Sequence, residues 1–564
     1  MKRGFALAAC VAVALVGTAA CRKSGEERLR RGDRLVTATI SDPKTFNPLL
    51  SVDAASTEAV GDVFEGLVRL NPKTKLPEPV LATLWEHDEA GTTWTFHLRE
   101  GVTWHDGAPF TADDVAFSFD AVFDPRVPNS AKHVLMVGGQ PMRTEVVDPH
   151  TIKVMMAEPF APLLNSVGFD ILPKHLLGQA LKDGTFTQTW GIDTPPEKIV
   201  GTGSYRLVRY VPAQLLQYAR NPTYWMRDEA GGALPRLAER TTLIVPDQNT
   251  MYLKFLDRQL HMYSPRPEEI DDLRARTEEL EIALDKIGLD TGMLFVSFNR
   301  NPAHYVKDGK ADPRLAWFTD SKFVRAVAHS LDKRSMIQNT YFGYGEPAVS
   351  AISPENTAFY NPNLTPYEYD LDTARRLLDE GGYRDRDGDG VREDAQGHPL
   401  EFELSTNAGN QVRERLCSIL KEDWTKLGIK VNYRPLDFAT LVEKLSTNFD
   451  WDAMVMGFTG GVEPHASSNL LRSSGNLHMW QPNQRTPATP WEAEIDRELA
   501  AGARELDPQK RVTHYWKIQE ILHRELPMIQ LVRQQRFIAA KSYLVDFVPT
   551  VWGVYQPERI AIRP

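Results

Sequence analysis

Trp94, Phe96 and Leu98 alternate with Thr95, His97 and Arg99, and a period of two places three large apolar groups on one face of a half-buried strand. Glu100-Gly101 and Asp106-Gly107 then predict tight turns, because glycine tolerates the positive φ they require. Thr111 stands where a helix N-cap is expected, with Asp114 three residues on, close to the capping-box spacing. Val115, Phe119, Val122 and Phe123 follow at i, i+4, i+7 and i+8, the stripe of a helix facing a core, and Asp124-Pro125 ends it.

The same reading carries along the chain. Leu35 to Ile40 alternates as a strand, while Val60, Val63, Phe64 and Leu67 fall on one helical face. A strand is expected from Tyr205 to Tyr210, and a helix from Asp247 to Leu256 with Met251 and Phe255 inward. Met293–Asn299 reads as an apolar strand. Val324, Val327, Ala328 and Leu331 form one helical stripe; Ala374, Leu377 and Leu378 form another, with Gly381 placed to be its left-handed cap. Leu427–Val431 and Trp451–Phe458 predict two further buried strands. Alternating strands and helices point to the α/β class, and 564 residues exceed what one core can organise.

Charge narrows the partners. The net charge is −10, and about −12 without Lys2 and Arg3, which argues against nucleic acid and against a polybasic membrane patch. Lys2 and Arg3 precede an apolar run from Phe5 to Val16 and then Gly17-Thr18-Ala19-Ala20-Cys21, the layout of a secretory leader rather than a membrane span. Cys21 is the preferred lipidation site; Leu7-Ala8-Ala9-Cys10 fits the lipobox better but would leave too short an apolar segment for export, and plain cleavage after Ala20 is the alternative. Cys417 is then the single remaining thiol and reads as a small buried apolar residue. Residues 22–33 are charged and without apolar period, a tether.

The run FHLREGVTWHDGAPFTADDVAFSF resembles the signature of the extracellular solute-binding protein family 5, the peptide, oligosaccharide and nickel receptors of bacterial ABC importers. Asn47-Pro48, Asp53, Glu65-Gly66-Leu67, Gly201-Thr202-Gly203-Ser204-Tyr205 and Asn221-Pro222-Thr223-Tyr224-Trp225 are similar to further motifs of that family. The resemblance implies a two-lobed periplasmic-binding-protein-like α/β fold with a small α+β domain inserted in the first lobe. The expected order is a signal peptide (1–20), a lipid-anchored tether (21–33), first lobe (34–75, 195–290 and 523–564), inserted domain (76–194) and second lobe (291–522). It further implies a monomeric receptor in the periplasm or cell envelope that captures a small molecule, a peptide above all, and works with ABC permease and ATPase subunits. Oligosaccharides, metal chelates, and a sensor or chaperone role remain alternatives within the same fold.

Catalytic motifs are lacking: the chain has no Gly-x-Ser-x-Gly, His-Glu-x-x-His, Cys-x-x-Cys or Walker loop, so an enzyme is not expected. The segment Gly457-Phe458-Thr459-Gly460-Gly461-Val462-Glu463-Pro464 resembles the stretch in which dipeptide receptors place an acid before proline to pair with the ligand's ammonium. Carried over, that implies Phe458, Thr459, Gly460 and Glu463 as ligand contacts, with Trp480 as a wall of the cavity; a surface carboxylate and a core tryptophan are the alternatives. His465 and His478 invite a nickel or haem idea, against two ordinary loop histidines. Asp385, Asp387 and Asp389 with Gly390 and Glu393 follow the oxygen-ligand spacing of a calcium loop, but Gln396 stands where the bidentate glutamate belongs. No cofactor is otherwise expected, and a solvated acidic turn is the alternative to a structural calcium.

Overall fold

The computed structural model describes residues 33–563 apart from 308; the leader and Cys21 lie outside the described residues. Two compact units are present, one running to Ile287 and resuming at Phe537, the other Gly288–Arg536.

In the first unit Arg34–Thr39 pairs in parallel with Glu239–Ile244, which continues antiparallel through Leu215–Arg220 to Tyr205–Val211. Residues 82–155 build a separate antiparallel sheet, ordered Ala82–His87, Thr93–Leu98, Thr151–Met155, Arg143–Asp148. The alternation read at Trp94 is realised there: Trp94, Phe96 and Leu98 are buried and the residues between them are not. The helix Ala112–Phe123 follows as expected. Asp114 anchors it by accepting from the backbone N–H of Thr111 (3.0 Å) and of Lys174 (2.9 Å) and from the indole of the fully buried Trp104 (3.3 Å).

The helical face expected from Val60 to Leu67 is not formed as such. The helix is Ala54–Val60, and Val63, Phe64 and Leu67 are buried in the turn and irregular stretch that lead to the strand Val68–Leu70. Tertiary bonds decide this, because the carbonyls of Asp62 and Val63 accept from Tyr205 (3.0 Å) and Gly203 (2.9 Å) instead of from the next helical turn. Gly201 permits the approach: a Cβ there would lie 1.8 Å from the Val63 oxygen.

The second unit is organised on a five-stranded sheet, ordered Lys430–Leu436, Glu401–Asn407, Ala453–Phe458, Met293–Phe298, Met528–Gln530. The first three run in parallel; Met293–Phe298 is antiparallel to both of its neighbours. Both faces are covered, which is why these strands read as continuous apolar runs. Val296, Phe298, Ala453 and Val455 enter one core with Phe318, Phe402, Trp424 and Cys417. Met293, Phe295, Met454 and Met456 enter the opposite one with Trp480, Ile495 and Ile518.

Two expectations are corrected in this unit. Gly381 is right-handed (φ −76°), and the left-handed residue after the helix Leu371–Glu380 is Gly382 (φ 86°). Residues 523–536, expected in the first lobe, remain here because Met528–Gln530 pairs with Met293–Phe298 and Val532–Gln534 pairs with Gly345–Pro347. Among the described residues no helix is long and apolar enough to cross a membrane.

Candidate functional site

The three parallel strands of the second unit end together at Asn407, Leu436 and Phe458. In open α/β sheets ligands gather outside the carboxyl ends of the strands, so this edge is where the sequence-derived contacts are to be judged. The helix Gln411–Thr425 starts at the same edge, its N-cap Asn410 accepting from the Arg413 backbone N–H (3.0 Å).

Phe458 lies at the end of its strand, half-buried, with its ring stacked on Phe295 (centroids 6.0 Å apart). Thr459 is exposed beside it. Gly460 cannot be replaced without moving backbone, since a Cβ would meet the Thr291 carbonyl oxygen at 1.9 Å. These three therefore stand together at the sheet edge.

Glu463 and Trp480 are committed elsewhere. Both oxygens of Glu463 accept from Arg511, at 2.6 and 3.0 Å, and both side chains are only 9% exposed. The carboxylate also caps the short helix Pro464–Ser467 through the His465 amide (2.9 Å). The free acid implied by the resemblance is thus internally paired, by a partner from the helix Pro508–Glu525 that no local motif announces. Trp480 is 1% exposed in the core, donating its indole N–H to Glu492 (2.9 Å); it does border a cavity of about 310 Å³ with Trp491 and Arg300. His478 is fully buried with its ring nitrogens against the Leu470 carbonyl (3.2 Å) and Glu492 (3.1 Å), which leaves neither for a metal. Burial, with Arg472 and Arg511 nearby, holds His465 down at about 4.

The residue that sequence reasoning missed is Arg413. Its guanidinium donates to the Asn407 side chain (2.8 Å) and lies 3.4 Å from the Gly457 carbonyl oxygen, but among the described residues it pairs with no carboxylate. Burial holds it below the usual guanidinium value, the mark of a cation whose charge is not neutralised. An arginine in the first turn of a helix that directly follows a parallel strand was a usable signal. The absence of an acid beside it was not readable from sequence.

The acidic loop does come together. Ligand oxygens of Asp385, Asp387, Asp389 and Glu393 lie within 4.8 Å of one another. The loop also satisfies them itself: Asp385 accepts from the amides of Gly388 (2.7 Å) and Gly390 (3.0 Å), Asp387 from Asp389, Asp389 from Val391 and Glu393 from Arg386.

Residues 77–478 match the family described as bacterial extracellular solute-binding proteins, family 5 Middle. The chain belongs to this family. It is 28% identical over 536 residues to a "Probable ABC transporter-binding protein" of Deinococcus radiodurans, covering 90% of this chain and 88% of the relative. It is 25% identical over 554 residues to the "Dipeptide-binding protein" of Escherichia coli, covering 94% of each. The oligopeptide-binding protein AppA of Bacillus subtilis, solved in complex with a nonapeptide, superposes with a TM-score of 0.72 at 22% identity, covering 95% of this chain and all of AppA. The fold of this family-5 chain is therefore that of the two-lobed periplasmic binding proteins.

Proposed function

We propose that this family-5 protein is the receptor of an ABC importer for peptides, and that Arg413 takes the carboxylate of the bound ligand. The observation that carries the reading is the uncompensated guanidinium at the sheet edge, beside Phe458, Thr459 and Gly460. A charge-assisted bond to a carboxylate contributes about 1.5–3 kcal/mol, and an anion restores the neutrality that burial denies Arg413. A relative named as a dipeptide-binding protein, aligned along nearly the whole chain, supports peptides as the solute. The chain passes between the two units twice, after Ile287 and after Arg536, and such paired crossings suit hinge closure over a captured ligand and its delivery to a permease. The leader and Cys21 support export and a lipid anchor.

Peptides at one hundred times their Kd stabilise the folded chain by about 2.7 kcal/mol. A peptide library is expected to raise the melting temperature, and Arg413→Gln to weaken peptide binding roughly tenfold to a hundredfold while leaving the fold unchanged. Undiminished peptide binding in Arg413→Gln removes the carboxylate role. Native mass spectrometry of co-purified ligands tests the solute class: a glycan or a metal chelate in place of peptides overturns the peptide reading.

A further inference from the structure

A separate cavity of about 280 Å³ lies wholly within the first unit, walled by residues from four stretches, 61–80, 168–170, 203–224 and 552–558. Its lining carries five carboxyl groups, Asp62, Glu65, Glu78, Asp170 and Glu558, against one cation, Arg69. Arg69 donates to Glu78 (2.7 Å), whose other oxygen accepts from the Asn71 side chain (2.7 Å), and to Oε1 of Glu558 (2.5 Å). Asp62 pairs with Arg240. Demands remain at Glu558 and Asp170. Glu558 is 6% exposed, yet among the described residues its Oε2 has no hydrogen-bond partner. Asp170 is half-buried and makes no hydrogen bond or ion pair among the described residues, and desolvation pushes its carboxyl up to about 7. Glu65 is pushed to about 7 as well by burial, although Tyr224 (2.8 Å) and Trp225 (3.2 Å) donate to it.

A half-open site with excess carboxylate and one orphaned buried acceptor favours a cation that brings N–H donors, because an unpaired buried acceptor costs about 1–3 kcal/mol. A single metal ion does not fit. Among the described residues only the loop at Asp385 gathers three or more carboxyl or imidazole ligand atoms within 4.8 Å, so the acids of this cavity are spread along its walls. Phe64, Tyr224 and Trp552 add aromatic surface to the lining, which suits an alkyl stem and the faces of ammonium groups.

We infer that this cavity binds a small organic dication of the diamine class, whose ammonium groups pair with Asp170 and with the free oxygen of Glu558. Occupancy ties the C-terminal stretch 552–558 to the loops around Glu65 and Asp170. The site is independent of Arg413 and of the peptide reading.

Isothermal titration of the full chain with 1,4-diaminobutane, against 1,4-butanediol and sodium chloride of equal ionic strength, tests it. Saturable binding of the diamine alone is expected, weakened at least tenfold in Asp170→Asn and in Glu558→Gln. Asp170→Asn keeps the fold, since the side chain has no partner to lose, and so decides the matter even if Glu558→Gln unfolds by stranding Arg69. Arg413→Gln retains diamine binding if the two sites are separate. No saturable diamine binding, binding matched by butanediol, an undiminished affinity in Asp170→Asn, or loss of diamine binding in Arg413→Gln would each overturn the inference.

Discussion

Two clusters of acids, one in each unit, are answered in opposite ways. In the second, Glu492 is 2% exposed and surrounded by donors from His478 (3.1 Å), Trp480 (2.9 Å), Gln484 (2.8 Å) and Thr489 (2.8 Å). Burial disfavours its charge, but these donors win and hold it down at about 2. Asp452, with Arg314 at 2.6 Å and the Glu403 amide at 3.0 Å, is lowered in the same way against burial. In the first unit the half-buried Glu65 and Asp170 stay near 7, because desolvation outweighs the donors to Glu65 and meets none at Asp170. A satisfied buried acid specifies structure; an unsatisfied one is a demand left for something else to meet.

The largest effect expected is at Glu492. Glu492→Leu leaves four donors without an acceptor, at about 1–3 kcal/mol each, so the second unit should lose about 5 kcal/mol in urea unfolding followed by a probe local to it. A loss below about 1 kcal/mol would mean that water replaces the acid and that the contrast between units is not energetic. Next comes the pair that displaced the expected ligand contact. Glu463→Leu strands the buried Arg511 and is expected to cost about 3 kcal/mol, most of which returns when Arg511→Met is added; peptide affinity measured on the double variant should stay at the parental value.

The pH profile separates the units by sign. Asp170 has an ordinary value of 3.8 and a folded value of about 7, so the folded state retains a proton that the unfolded chain has released. That stabilisation is complete below about pH 4 and is lost as pH rises through 7. Glu492, at 4.5 ordinarily and about 2 when folded, stabilises above pH 4.5 and loses this as pH falls through 2. Asp170→Asn should flatten the decline between pH 4 and 7 and raise stability at pH 8 by about 2 kcal/mol; a profile identical to the parent's would show that Asp170 is solvated. The smallest effect concerns the Asp385 loop, where Gln396 withholds the strongest ligand. Calcium at its own Kd adds about 0.4 kcal/mol, visible as a small, chelator-reversible rise in the melting temperature of the second unit and absent in Asp385→Asn. No rise at any calcium concentration marks the loop as an acidic turn satisfied by its own amides.

How much was legible follows from the range of the forces involved. The strand at Trp94 and the helix capped near Asp114 were readable because alternation and capping act within a few residues. The Asp385 loop gathered its four acids for the same reason. The stretch after Val60 was misread because two distant amides, of Gly203 and Tyr205, take the carbonyls a helix would have used. The pairing of Glu463 was not legible because its partner Arg511 lies 48 positions away in sequence.

The sequence alone determined the class of the fold, the family, and the loop that reaches the sheet edge, since all of these are written in local order and spacing. Tertiary structure decided which charges are answered. Among the described residues Glu463 received an arginine, Glu492 four donors, Arg413 no acid and Asp170 no donor, and each outcome depends on what chain folding brings within about 4 Å, the range over which a charge finds its counterpart.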